Sequence, residues 1–160
     1  MIIRLSKVGL VSIIALFFTL VAFNNTSDYA TNEVFVKHVL SMDTVFADSN
    51  TSWRAITSVQ IQTLFYWVII AWESLAAIVC WFAAAKLFAA RYDAILFKQR
   101  KSLAFFGLSL GFGMYALVFL AVGAEWFQMW QSAQWNGVPS ATNFLCMIGF
   151  TLLILMTADE

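Results

Sequence analysis

Four apolar runs divide the chain, at residues 8–23, about 63–88, about 103–126 and about 141–157. With its flanks, each reaches the ~17–25 residues that a helix rising 1.5 Å per residue needs to cross a hydrocarbon core of about 30 Å. A segment inside lipid must satisfy its own backbone hydrogen bonds. The runs are too long and too continuous for the alternating strands of about ten residues that build a membrane barrel. The sequence therefore predicts an all-α fold, a four-helix transmembrane bundle. It forms one integral membrane domain over residues 1–160, with helices at about 5–24, 63–88, 103–126 and 141–157. Composition agrees: 62% of the residues are hydrophobic and 11% charged, against roughly 45–50% and 25% in soluble domains. So small a globule has no interior large enough to hide that surplus.

The first run, VGLVSIIALFFTLVAF, follows Arg4 and Lys7 and so begins like a secretory signal. It exceeds the 7–15 apolar residues of a signal core, and no A-x-A cleavage site follows. It reads as an uncleaved first helix ending at Asn24–Asn25. Arg4, Lys7, Lys86, Arg91, Lys98, Arg100 and Lys101 account for seven of the nine Lys and Arg, and all flank one side of the predicted spans. The positive-inside rule places that side, with both termini, in the cytoplasm.

The periplasmic loop, residues 25–62, then carries Lys37 and Arg54 against Asp28, Glu33, Asp43 and Asp48. Within it Phe35, Val36, Val39 and Leu40 recur at helical spacing, which predicts a short amphipathic helix over 32–42 lying on the membrane or the bundle. An irregular lid over the helix ends is the competing reading. In the second outer connection Trp126, Trp130 and Trp135 have the placement of interfacial anchors. An aromatic cage for a cation is the lesser reading.

The stretch YWVIIAWESLAAIVCWF, residues 66–82, holds one charge, Glu73. A charge at a helix centre costs roughly 2.5–3.5 kcal/mol on insertion scales, so it generally has a partner or a function. On a helix Glu73 shares its face with Tyr66, Ile69, Ile70, Ala76, Ala77, Cys80 and Ala84, while Val68, Leu75, Val79 and Phe82 point away. The small residues Ala76, Cys80 and Ala84 admit a neighbouring helix. The carboxylate is thus expected to point into protein, hydrogen-bonded to Tyr115 on helix three or Asn143 on helix four. A proton or cation relay is the sharper alternative, weakened by the scarcity of further polar steps. In the third run Gly107 and Gly111 form a GxxxG pair, and the helical stripe continues through Met114, Val118 and Ala121 to a second carboxylate, Glu125. Glu125 adjoins Trp126 and is expected at a depth different from that of Glu73.

Little else bears chemistry. His38 is the single histidine, which argues against bis-histidine haem, and zinc on His38, Asp43 and Glu33 is a minor alternative. Cys80 and Cys146 sit in apolar runs without metal spacing. No nucleophile-elbow, phosphate-loop or zinc-protease motif occurs. Glycosylation patterns at Asn24, Asn25 and Asn50 matter only in a eukaryotic secretory pathway. Neither a cofactor nor a metal is expected, nor is nucleic acid a partner.

MIIRLSKVGL at the start, LVAFNNTSDYATNEVFVKHVLSMDT after the first run, SWRAITS before the second and AWESLAAIVCWF within it resemble a family of bacterial proteins described as predicted small integral membrane proteins, a domain of unknown function. The resemblance spans the whole chain, with MDT and WRAIT its most specific parts. It implies four helices in a bacterial inner membrane and supplies no reaction. The functional expectation is a non-enzymatic accessory or assembly subunit packing in the lipid bilayer against a larger membrane complex or as a homo-oligomer. The alternative is a small oligomeric transporter or channel with Glu73 on a proton or cation path, and a membrane enzyme stands third.

Overall fold

The computed structural model describes residues 1–159. It is helical, with no strand among the described residues. Helix α1 covers Ile2–Ser27, α2 Tyr29–Ser41, α3 Val59–Ala89, α4 Ala94–Gly113 and α5 Val138–Met156, and α4 runs on without a break as a π-helix, Met114–Trp126. The four long units, α1, α3, α4 with its π extension, and α5, are each long and apolar enough to cross a membrane. Each starts earlier than expected, most of all α4. That helix starts at the Asp93 cap, whose side chain accepts a hydrogen bond from the Leu96 amide at 3.0 Å. The basic stretch Lys98–Lys101 is therefore helix and not connection.

Contacts across the sequence fix an up-down-up-down order. At one end, Arg4 Nη1 donates to the Arg91 carbonyl in the α3–α4 turn (2.8 Å), and Lys7 reaches Asp159 (2.7 Å). This termini end gathers both ends of the chain and that turn. At the opposite end, the loop end, the segment after α2 meets the segment before α5. Thr44 Oγ1 donates to Ser132 Oγ (2.9 Å), and the Phe46 amide to Gln131 Oε1 (2.9 Å). Gln128, in the left-handed region at φ 54°, collects donors from Ser49, Thr51 and Gln131 on its Oε1.

Helix α3 lies at the centre, packed on α1, α2 and α4. Its buried residues below Glu73 are Ala76, Ala77, Cys80, Ala83, Ala84 and Leu87, which meet Val11, Ile14, Ala15 and Phe18 of α1 and Ala104 and Leu108 of α4. Val68, Leu75 and Phe82 of the expected lipid face are exposed, as is Ile78, but Val79 is half-buried because its side chain packs at Gly107 of α4. Gly107 marks the closest approach: a Cβ there would sit 2.8 Å from Cys80 Sγ and 3.2 Å from the Cys80 backbone nitrogen. Gly111 instead makes room for the Phe18 ring of α1. The expected stripe stops at Met114, because Ala121 and Glu125 are exposed. Bonding from residue i to i+5, as from the Phe127 amide to the Val122 carbonyl (2.9 Å), puts more residues in each turn and rotates the buried face away from the 3.6-residue register.

Two lysines expected as solvated flanks are buried. Lys7 is 1% exposed, and its Nζ donates to the carbonyls of Thr157 and Ala158 and to Asp159 Oδ1 at 2.7–2.8 Å. Lys101 Nζ donates to the Leu155 carbonyl (2.8 Å) and lies 2.6 Å from the same carboxylate oxygen. Cations here meet both a carboxylate and the unsatisfied carbonyls of the α5 C-terminus. Burial of Asp159 opposes its ionisation, but hydrogen bonds from Lys101 and Lys7 outweigh it and hold the carboxyl below its ordinary value of 3.8. A depressed carboxyl stabilises above its unfolded pKa and stops doing so as the pH falls through the folded one. Asp159→Asn should therefore lower stability in detergent by about 1–3 kcal/mol at neutral pH. Thermal unfolding as a function of pH checks this: the difference from the parent chain should shrink below about pH 4.

Candidate functional site

Glu73 is 2% exposed and faces α1, as its company of small residues implied. Its partner is neither Tyr115 nor Asn143. Glu73 Oε2 accepts a hydrogen bond from Asn25 Nδ2 at 2.7 Å, and the Asn25 carbonyl accepts one from the Tyr66 hydroxyl at 2.8 Å. Tyr66 and Glu73, seven residues apart, stand two turns apart on one face of α3 and grip the same α1 residue from both sides. Asparagine at 24 and 25 suggested a helix end, yet α1 continues to Ser27, with the Thr26 hydroxyl turned back onto the Ala22 carbonyl (2.9 Å). The buried positions of α1, Val11, Ile14, Ala15 and Phe18, continue at three- and four-residue steps to Val21 and Asn25. Extending that stripe was the signal for Asn25.

Tyr115 is 3% exposed and borders the same space as Glu73, and its hydroxyl has no hydrogen-bond partner among the described residues. Asn143 is exposed, because the buried stripe of α5 runs through Ala141, Phe144, Ile148 and Leu155 and leaves it outside. Glu125 is also exposed, beside Leu120, Ala121 and Trp130 on a shallow groove, and pairs with no described residue. The structure thus brings Glu73 and Tyr115 together and leaves Glu125 and Asn143 apart from them. Around Glu73 lies a cavity of about 320 Å³ that reaches the loop end at Asn32, Asn136 and Ser140. Beyond Glu73 toward the termini end the seam closes on alanine and cysteine.

Helix α2 sits across the loop end, with Val39 and Leu40 buried and Phe35 and Val36 packed beside them. It begins a little earlier than expected, at Tyr29. Glu33 is not on its solvent side. It accepts from Lys37 (2.7 Å) and from Thr63 of α3 (2.9 Å), and these bonds, that of Lys37 first, hold its carboxyl below the usual range. An apolar cavity of about 220 Å³ separates α2 from α3 and the π-helix, walled by residues such as Phe65, Trp72, Leu117 and Val122. His38 bonds Asp43 (2.7 Å) and stacks on Trp135 at 4.4 Å and 10°. Trp135 is half-buried and packs on His38, whereas Trp126 and Trp130 are exposed. Arg54 lies over Trp126 (4.6 Å) and Trp53 (5.5 Å). Glu33 points to Thr63 and not to His38, and no group of three metal-binding side chains occurs among the described residues.

A family model described as predicted small integral membrane protein (DUF2165) matches residues 3–158. The chain belongs to this family. The DUF2165 match brings a membrane setting, and no reaction or site comes with it. No curated protein and no solved structure matches the chain.

Two measurements check the site. Glu73→Gln keeps an acceptor for Asn25 and should leave unfolding in detergent nearly unchanged. Glu73→Leu strands the Asn25 amide and crowds the alanine seam, and should lower stability by about 1–3 kcal/mol. In the second, single cysteines at Thr31 and Val39 are treated with an impermeant thiol reagent in a Cys80→Ala, Cys146→Ala background. Thr31 is exposed and should label fast, and Val39, buried under α2, slowly. Equal, fast labelling at both positions would mean that α2 does not lie on the bundle.

Proposed function

We propose that this DUF2165 protein is a non-enzymatic accessory or assembly subunit that packs against a larger complex, or against copies of itself, in a bacterial inner membrane. The observation that supports this best is the sealed seam between Glu73 and the termini end. Ala76, Ala77, Cys80, Ala83 and Ala84 fill it against α1 and α4, so polar side chains do not line a route through the bundle. A transport path needs polar groups at successive depths. Reactive groups are few, and the exposed sides of the helices are large apolar residues suited to lipid or to another membrane helix.

The cavity at Glu73 favours one second reading, a small oligomeric transporter or channel with Glu73 on a proton or cation path. Such a path would have to leave the bundle between copies, since the seam inside one copy is closed.

Orientation follows from charge. Arg4, Lys7, Lys86, Arg91, Lys98, Arg100 and Lys101 belong to the termini end, and we assign that end to the cytoplasm. The burial of Lys7 and Lys101 against α5 weakens neither count, because the rule operates on the chain as it inserts. Reporter fusions after Thr26 and after Gly137 should report periplasm and a fusion at Gln99 cytoplasm. Purification in mild detergent at native abundance should then bring a stable larger assembly with it. A lone small oligomer would favour the transport reading.

A further inference from the structure

Glu73 presents two oxygens, and only one is engaged. Asn25 donates to Oε2, while no described residue donates to Oε1. The residue lines a cavity of about 320 Å³ shared with the unpartnered Tyr115 hydroxyl. Five aromatic residues border it, Phe35, Tyr66, Tyr115, Phe119 and Phe144, between aliphatic side chains and the amides and hydroxyl of the mouth. Three of these rings also form one contiguous surface, with centroids 5.2 Å apart for Tyr115 and Phe144 and 5.4 Å for Tyr115 and Phe119. No lysine, arginine or histidine lines the space, and Glu73 is its single charged side chain.

A buried carboxylate with a free oxygen, set beside a cluster of aromatic rings and free of competing cations, matches one ligand chemistry. Aromatic rings attract a cation through their quadrupole, most strongly where water is excluded, and methylated ammonium groups suit them because their charge is spread over apolar surface. Calcium takes six to eight oxygen ligands, far more than one free carboxylate oxygen and a phenol supply. One carboxylate balances one positive charge. The route in is from the loop end, past Asn32, Asn136 and Ser140, where Asp28 adds negative charge and Glu33 is balanced by its pair with Lys37.

We propose that this cavity is a binding site for a small organic cation of the ammonium class, held by Glu73 and by the rings of Tyr115, Phe119 and Phe144. The site is independent of the accessory role and would stand if that role failed. Since the seam beyond Glu73 is closed, the site works as a receptor pocket within a single copy.

The test uses the full chain purified in mild detergent, with tetramethylammonium chloride as the probe and sodium chloride at equal ionic strength as the control. Isothermal titration and thermal unfolding are read together. Tetramethylammonium should bind saturably and raise the unfolding temperature, and sodium chloride should do neither. Glu73→Gln should weaken binding at least about tenfold, and Phe144→Leu should weaken it several-fold, since each removes one attraction on the cation. Tyr115→Phe keeps the ring and should bind nearly as the parent chain does. An equal response to sodium, or retained binding in Phe144→Leu, overturns the proposal even if Glu73→Gln fails to fold. Loss of co-purifying partners with ammonium binding intact would overturn the accessory reading and leave this one standing.

Discussion

Close approach of helix backbones is the constraint on which the bundle depends. Lipid tails are as apolar as leucine, so burial from water does little to bring two membrane helices together, and contact at short range must do it. Alanine and cysteine on α3, Gly107 on α4 and Ala15 on α1 remove the side chains that would hold the axes apart. A methyl group at Gly107 would press on the backbone of Cys80 itself. The same seam orients everything else. It turns Glu73 and Tyr66 toward α1, and it sends Leu75, Ile78 and Phe82 outward.

Both ends of the seam are then tied by charge or by hydrogen bonds to backbone. At the termini end the lysines of α1 and α4 converge on one carboxylate and on the last carbonyls of α5, so three helices meet through Asp159. The packing there is polar, although the neighbouring residues Phe97, Leu87 and Leu155 are fully buried. At the loop end neutral bonds dominate: hydroxyls and amides from residues 44–51 meet Gln128, Gln131 and Ser132. Helix α2 adds an apolar underside, and Glu33 joins it to α3 through Thr63.

Much of this was legible in the sequence, because lipid makes hydropathy and small-residue faces strong signals. The four spans, the short helix near 32–42, the inward face of Glu73 and the close packing at Ala76, Cys80, Ala84 and Gly107 follow from spacing, whereas the Phe18 ring seated at Gly111 does not. What escaped depends on three-dimensional partners or on backbone geometry. Asn25 read as a stop signal because asparagine is a poor helix former in isolation, but tertiary packing overrides propensity. Lys7 and Lys101 counted as flanking charges, since nothing local announces that the far end of the chain will supply an acceptor. The π-helix has no residue signature, so the stripe from Gly107 was carried on to Glu125 at a period the backbone abandons at Met114. The stack of Trp135 on His38 likewise has no local signal, since the two lie 97 residues apart in the chain.

The departure from α geometry coincides with a change in packing along the bundle. Below Glu73 the helices touch through small residues; above it, alongside the π-helix, lie the two cavities walled by larger aromatic and aliphatic side chains. Tyr115 and Phe119, four residues apart near the start of the π-helix, both line the Glu73 cavity. Glu73 stands at the boundary between these two regimes. One turn further along α3, at Ala77, a carboxylate would lie within an apolar cluster that offers it no side-chain donor. At its actual position Asn25 supplies a donor and the cavity accommodates the second oxygen. The bundle tolerates a charge-bearing side chain at this depth because the looser packing begins at that level.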